Sequence, residues 1–71
     1  MNETMRTTLL QVRERLKAKN ASEEKIRWML EGAMIRAGYE IGLLERGEPI
    51  PETIYQHVHA IVQEMMKEQE Q

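Results

Sequence analysis

Residues 36–42 read Arg-Ala-Gly-Tyr-Glu-Ile-Gly. The prediction for the middle of the chain depends on whether this stretch, with its two glycines, is helical. The residues on both sides follow a helical pattern, so the stretch falls inside a predicted helix that also contains Gly32. Each glycine in a helix interior costs about 1 kcal/mol relative to alanine. Small residues let a second backbone approach a helix closely, as in dimers of membrane helices. We therefore predict that Gly32, Gly38 and Gly42 mark the tightest helix crossing of an assembly.

The spacing of apolar residues predicts an all-α fold with three helices, at about 3–19, 21–46 and 51–69, in one domain that covers residues 1–71. The first helix carries a narrow apolar stripe at Met5, Leu9, Val12 and Leu16. A third helix returns across the hairpin that the first two helices form.

Two breaks separate the predicted helices. Asn20, with Glu23 three residues later, is a candidate N-cap of the second helix, and Ser22 is the competing candidate. Gly47, followed by Glu48 and Pro49, is a helix stop signal.

The second helix is apolar on two nearly opposite sides, which predicts packing neighbours on both. One side contains Ile26, Leu30, Ala33, Ala37, Ile41 and Leu44, and the other contains Trp28, Ile35, Tyr39 and Leu43. A second protomer is the favoured neighbour for the second side, and an intramolecular sandwich around the second helix is the alternative. We predict a twofold-symmetric homodimeric helical bundle. The predicted dimer or partner interface contains Trp28, Gly32, Ile35, Gly38, Tyr39, Gly42 and Leu43.

Composition limits the ways in which this chain can be stabilised. A chain of 71 residues buries only about 60% of its unfolded surface, and without cysteine it has neither disulfides nor thiolate metal sites. Oligomerisation is one remaining source of stability. The sequence contains no apolar run of membrane-spanning length and no signal-peptide pattern, so we predict a cytoplasmic protein without membrane contact.

Charge is distributed unevenly along the chain. Residues 1–46 hold nine Lys or Arg and seven Glu, for a net charge of +2, whereas residues 47–71 hold one Lys and five Glu, for −4. The cations of the first helix make Arg6, Arg13 and Lys17 a candidate contact for nucleic acid or for an acidic partner, and nucleic-acid binding is the alternative function. These residues also border the apolar stripe of their helix, where long cationic side chains often cover the edge of an interface.

Residues that carry catalysis or bind metals are scarce. His57 and His59 are two positions apart, which directs them about 200° apart on a helix and does not match the i, i+4 spacing of helical metal pairs. Ser22 is the only serine and is placed as a helix cap. We predict no catalytic residues, no bound metal and no cofactor, and keep a metal or enzymatic role around the histidines as a third alternative.

The function that these patterns favour is a small, non-catalytic, dimeric interaction or regulatory protein. Its partners would be a second copy of the chain and another protein of unknown identity, bound through helical surfaces. Excess apolar surface on the second helix is the positive observation behind this prediction.

Overall fold

The computed structural model describes residues 3–68, and within that range the chain forms three α-helices and no β-strand. They are α1 (Glu3–Ala18), α2 (Glu23–Glu40) and α3 (Glu52–Lys67). Because α2 packs against both α1 and α3, it is the central element of the fold. The predicted all-α class with three helices is confirmed, whereas the homodimeric assembly stays a prediction. The predicted end of the third helix, at residue 69, lies outside the described residues.

All three helices contribute to a single apolar core. The fully or almost fully buried aliphatic side chains are Leu9, Ile26, Leu30, Val58, Val62 and Met65. Burying one such side chain is worth about 1.5–3 kcal/mol, so these few residues provide much of the stability of a small chain. The remaining residues of the predicted α1 stripe, Met5, Val12 and Leu16, are partly buried around this core.

The turn between α1 and α2 gives Asn20 and Ser22 different roles. Asn20 has a φ of +62° and ends α1, because its N–H donates to the carbonyl of Lys17 at 2.9 Å and the next N–H, of Ala21, donates to Leu16 at 3.0 Å. This is the Schellman arrangement, and asparagine tolerates its left-handed position. Ser22 is the N-cap of α2, since its Oγ accepts the N–H of Lys25 at 3.1 Å. Asn20 is therefore not the N-cap.

The second helix ends at Glu40, six residues earlier than the sequence pattern predicts. Gly42 has a φ of +83°, which places it outside the helix. The N–H of Gly42 donates to the carbonyl of Tyr39 at 3.2 Å, and the N–H of Leu43 donates to that of Gly38 at 2.9 Å. These two bonds form a second Schellman motif. The prediction that Gly42 lies inside a helix is therefore wrong, because the residue terminates that helix.

After this turn the chain folds back, so that Leu44 lies against the end of α2. The N–H of Leu44 also donates to the Gly38 carbonyl, at 3.1 Å. A Cβ placed on Gly38 would lie only 3.0 Å from Cδ1 of Leu44. Gly38 therefore accommodates a side chain of its own protomer. Within the described residues, the close neighbour of Gly38 is Leu44 of this loop and not a residue of another helix.

Replacing Gly42 with alanine should destabilise the fold by about 1 kcal/mol, because an L-residue is strained at a positive φ. Gly32→Ala is the matched control, since Gly32 is helical and a Cβ there meets no atom within 4 Å. The control should stabilise the protein by about 0.5–1 kcal/mol through helix propensity. Urea unfolding at low protein concentration measures both changes, and a stabilising Gly42→Ala would contradict the assigned turn.

A buried guanidinium connects α1 to the C-terminal end of α3. Arg13 is only 2% exposed, and it donates to the carbonyl of Met65, to the carbonyl of Glu68 at 2.9 Å and to Oε2 of Glu14 at 2.9 Å. The last carbonyls of a helix lack intrahelical donors and carry the negative end of its dipole. Arg13 satisfies them, and an ion pair between Arg6 and Glu68 lies beside it.

Replacing Arg13 with leucine should lower the free energy of unfolding by about 2 kcal/mol, because the carbonyls of Met65 and Glu68 each lose a charged donor. Arg15→Leu removes an exposed cation from the same helix and should change stability by less than about 0.5 kcal/mol. Equilibrium unfolding followed by circular dichroism compares the two variants. Equal stabilities would show that Arg13 does not connect the helices.

Candidate functional site

The side of α2 that faces away from the core carries exposed apolar side chains between charged residues. We call this surface the outer face; its residues are Lys25, Trp28, Met29, Gly32, Arg36 and Glu40, all of them exposed. Trp28 is 64% exposed and Met29 is 49% exposed. They border a depression of about 380 Å³ that Ser22, Glu24 and Lys25 also line. Large apolar side chains exposed in this way commonly mark interaction surfaces.

A second apolar surface lies where the end of α2, the following loop and the start of α3 meet. We call it the apolar groove; it has a volume of about 230 Å³ and is lined by Met5, Met34, Ile35, Ala37, Gly38, Ile41, Leu43, Leu44, Ile54, His57, Val58 and Ile61. His57 is the only polar residue in that set. Ile41 and Leu43 are 69% and 78% exposed although their side chains are aliphatic. The groove is thus an open apolar surface rather than a filled part of the core.

An acidic depression adjoins the apolar groove. It has a volume of about 310 Å³, and the two surfaces share Leu43, Leu44 and Ile54. Glu45 and Glu48 line it, and both residues are exposed. Negative charge therefore lies next to one end of an apolar surface.

The predicted interface residues do not form one surface: they lie on two separate surfaces and in a turn. Trp28 and Gly32 lie on the outer face, whereas Ile35, Gly38 and Leu43 line the apolar groove. Ile35 also packs against the core. Tyr39 is half-buried, with the Arg46 guanidinium 5.2 Å from its ring centre, and Gly42 forms the turn. The helical projection placed these residues together because it assumed that the helix continues past Glu40.

Sequence reasoning missed several residues of these surfaces. The predicted interface does not include Met29, and the sequence pattern places Ile41 and Leu44 on the opposite side of a longer helix. The contribution of Ile54 to a groove was not foreseen. A usable signal was present, because a glycine followed by apolar residues is typical of a Schellman end with its hydrophobic contact. Applied to Gly42-Leu43-Leu44, that rule predicts the fold-back of the loop.

The cations proposed for nucleic-acid binding are engaged within the protomer. Arg13 is buried and satisfied by α3, and Arg6 is paired with Glu68. Lys17, about half exposed, lies 3.8 Å from Oε2 of Glu14. A phosphate backbone needs cations on an accessible face, and a buried Arg13 has no surface to offer it.

The histidines are separated by their helix and contact different neighbours. His57 lines the apolar groove, whereas Nδ1 of His59 lies 3.5 Å from Oε1 of Glu31 and its Nε2 lies 3.0 Å from Nε2 of Gln63. Within residues 3–68, no three His, Asp or Glu side chains converge as a metal site requires. In the same range, no helix has both the length and the apolar character of a membrane span.

Comparison with known proteins yields no relative: no family model, no curated protein and no solved structure is significantly similar to the chain. The functional assignment therefore rests on the chemistry of the outer face and of the apolar groove.

Replacing Leu43 with serine should change the free energy of unfolding by less than about 0.5 kcal/mol, because its side chain is already in water. Leu30→Ala, at a fully buried position, should cost about 3 kcal/mol. Urea denaturation of the two variants tests whether the apolar groove is a surface feature. A loss above about 1.5 kcal/mol in Leu43→Ser would instead show that Leu43 makes a buried contact.

Proposed function

We propose that this protein is a small, non-catalytic interaction module that forms a homodimer and binds another protein through helical surfaces. The observation that carries the proposal is the exposure of Trp28, the only tryptophan, on the outer face of α2. Tryptophan is among the residues most enriched at interaction hot spots, because it buries a large area and retains one hydrogen-bond donor. An interface would remove this apolar surface from water.

The outer face is complementary to a second copy of itself in the antiparallel orientation. A twofold axis at Gly32 places Trp28, four residues before it, opposite Arg36 of the partner subunit, four residues after it. A guanidinium over an indole ring is a favourable cation–π pair. Lys25 then lies within about 1.5 Å, along the helix axis, of the level of Glu40 of the partner subunit. Each of these contacts occurs twice, as a twofold interface requires.

Gly32 supports the same arrangement because it lies near the middle of α2 and on the outer face. A Cβ at this position would meet nothing within 4 Å, so the glycine is not needed for packing inside the protomer. The absence of a side chain there would let the two helix backbones approach closely at the crossing point. Of the three glycines predicted to mark such a crossing, Gly32 alone lies on this surface.

Nucleic-acid binding has less support than protein binding. Two of its three proposed residues, Arg6 and Arg13, connect α1 to the end of α3. A metal-dependent role has no supporting group of three His or Glu side chains within residues 3–68, and the hydroxyl of Ser22 serves as a helix cap.

Replacing Trp28 with glutamate should weaken the dimer at least about thirtyfold, because the central apolar anchor is lost and a buried charge is introduced. Sedimentation equilibrium of the full chain measures the dissociation constant. Leu43→Glu is the matched control, since Leu43 is equally apolar and exposed but does not lie on the outer face. It should leave the dimer unchanged.

Acrylamide quenching of Trp28 provides a second readout of the same proposal. The indole should become less accessible as the protein concentration passes through the dissociation constant. An unmodified chain that stays monomeric at micromolar concentration, with constant quenching, would disprove the dimer.

A further inference from the structure

The apolar groove exists because α2 stops early and the chain returns across its end. Leu44 lies against Gly38, and Leu43 remains 78% exposed at the edge of the groove. Ile54 and Val58 of α3 form the opposite wall. Met5 of α1 also lines the groove, so all three helices and the loop between α2 and α3 contribute to it. The open side of the groove exposes the aliphatic side chains of Ile41 and Leu43 to solvent.

The loop that joins α2 to α3, together with the helix residues at its two ends, carries mostly negative charge. Residues 40–52 contain Glu40, Glu45, Glu48 and Glu52, all exposed, and a single cation, Arg46, whose guanidinium lies over the ring of Tyr39. Glu45 and Glu48 lie in the depression that adjoins the groove. An occupant of the groove would therefore meet an apolar floor next to a carboxylate-rich edge, which favours apolar side chains accompanied by cations.

A second copy of this chain does not supply such a segment in a closed assembly. The basic helix α1 uses its apolar stripe in its own core, where Leu9 is 2% exposed. The outer face of α2 carries Trp28 and Lys25, but docking it into the groove of another copy is a head-to-tail contact. Unless it closes into a ring, such a contact continues into open chains.

We infer that the apolar groove binds a basic amphipathic helix of another protein. Aliphatic or aromatic side chains at positions i, i+4 and i+7 of that helix lie in the groove, as in other helix-in-groove complexes. Lysine or arginine residues on its flank pair with Glu45 and Glu48. Met5 and Met34 in the lining adapt to differently shaped anchors, because a thioether side chain is flexible and polarizable. The inference rests on the proposed function as an interaction module but not on the dimer.

The probe is a fluorescein-labelled helical peptide of leucine and lysine, roughly 14 residues or four turns long, with its leucines on one face. Its twin carries glutamate at each lysine position. Fluorescence anisotropy with the full chain should show saturable binding of the basic peptide that weakens as salt rises. The acidic twin should bind at least about tenfold more weakly.

Paired variants of the protein locate the binding surface. Glu45→Gln with Glu48→Gln should weaken binding of the basic peptide about fivefold, whereas Glu23→Gln with Glu24→Gln, which removes the same charge at the start of α2, should change it less than about twofold. Ile41→Ser should also weaken binding about fivefold, because an exposed groove contact is lost. Met29→Ser, on the outer face, should leave it unchanged.

The results separate this inference from the dimer. Binding that is identical in the Trp28→Glu variant supports the groove, and it does so even if the unmodified chain proves to be a monomer. The inference is overturned if the basic peptide does not bind, if both peptides bind equally, or if the two glutamine pairs weaken binding to the same extent. Concentration-dependent polymerisation of the protein alone, abolished by Ile41→Ser, would also overturn it, because the occupant would then be a second copy.

Discussion

The left-handed turn at Gly42 separates the outer face from the apolar groove. By ending α2 at Glu40, it sends Leu43 and Leu44 back over the end of the helix instead of along its continuation. Gly38 gives the Leu44 side chain room, because a Cβ at its position would lie 3.0 Å from Cδ1 of Leu44 and would require that side chain to shift. A helix that continued to Arg46 would instead have presented one long apolar stripe. The turn converts that stripe into a shorter outer face and a separate apolar groove.

Arg13 is a second residue on which the arrangement of the helices depends, because it joins α1 to the C-terminal end of α3. The chain has no disulfide to hold its helices together, and its buried aliphatic core is small. A guanidinium can donate several hydrogen bonds in fixed directions, which suits the converging carbonyls at the end of α3. Its burial also explains why a basic first helix does not provide a uniformly basic surface. Two of the cations that suggest a binding face in the sequence, Arg6 and Arg13, instead contact the end of α3.

The two surfaces differ in chemistry, and the difference suggests a division of roles. The outer face combines Trp28 and Met29 with charges of both signs, so it is complementary to itself. The apolar groove adjoins a depression that contains Glu45 and Glu48, and this negative charge favours a basic partner. A dimer formed through the outer face would leave both grooves open. Two linked grooves could then bind two segments of one partner with increased avidity.

Local periodicity and capping in the sequence predict the helical class, the number of helices, the break near Ser22 and most of the core. Leu9, Ile26 and Leu30 belong to apolar stripes that their spacing alone predicts. The end of α2, the contact between Gly38 and Leu44 and the partners of Arg13 are visible only in the folded structure. Those features depend on residues that are distant in sequence or on a competition between helix continuation and a left-handed cap. The packing of the following loop determines whether the helix continues or ends in a left-handed cap. A helical projection takes no account of that packing.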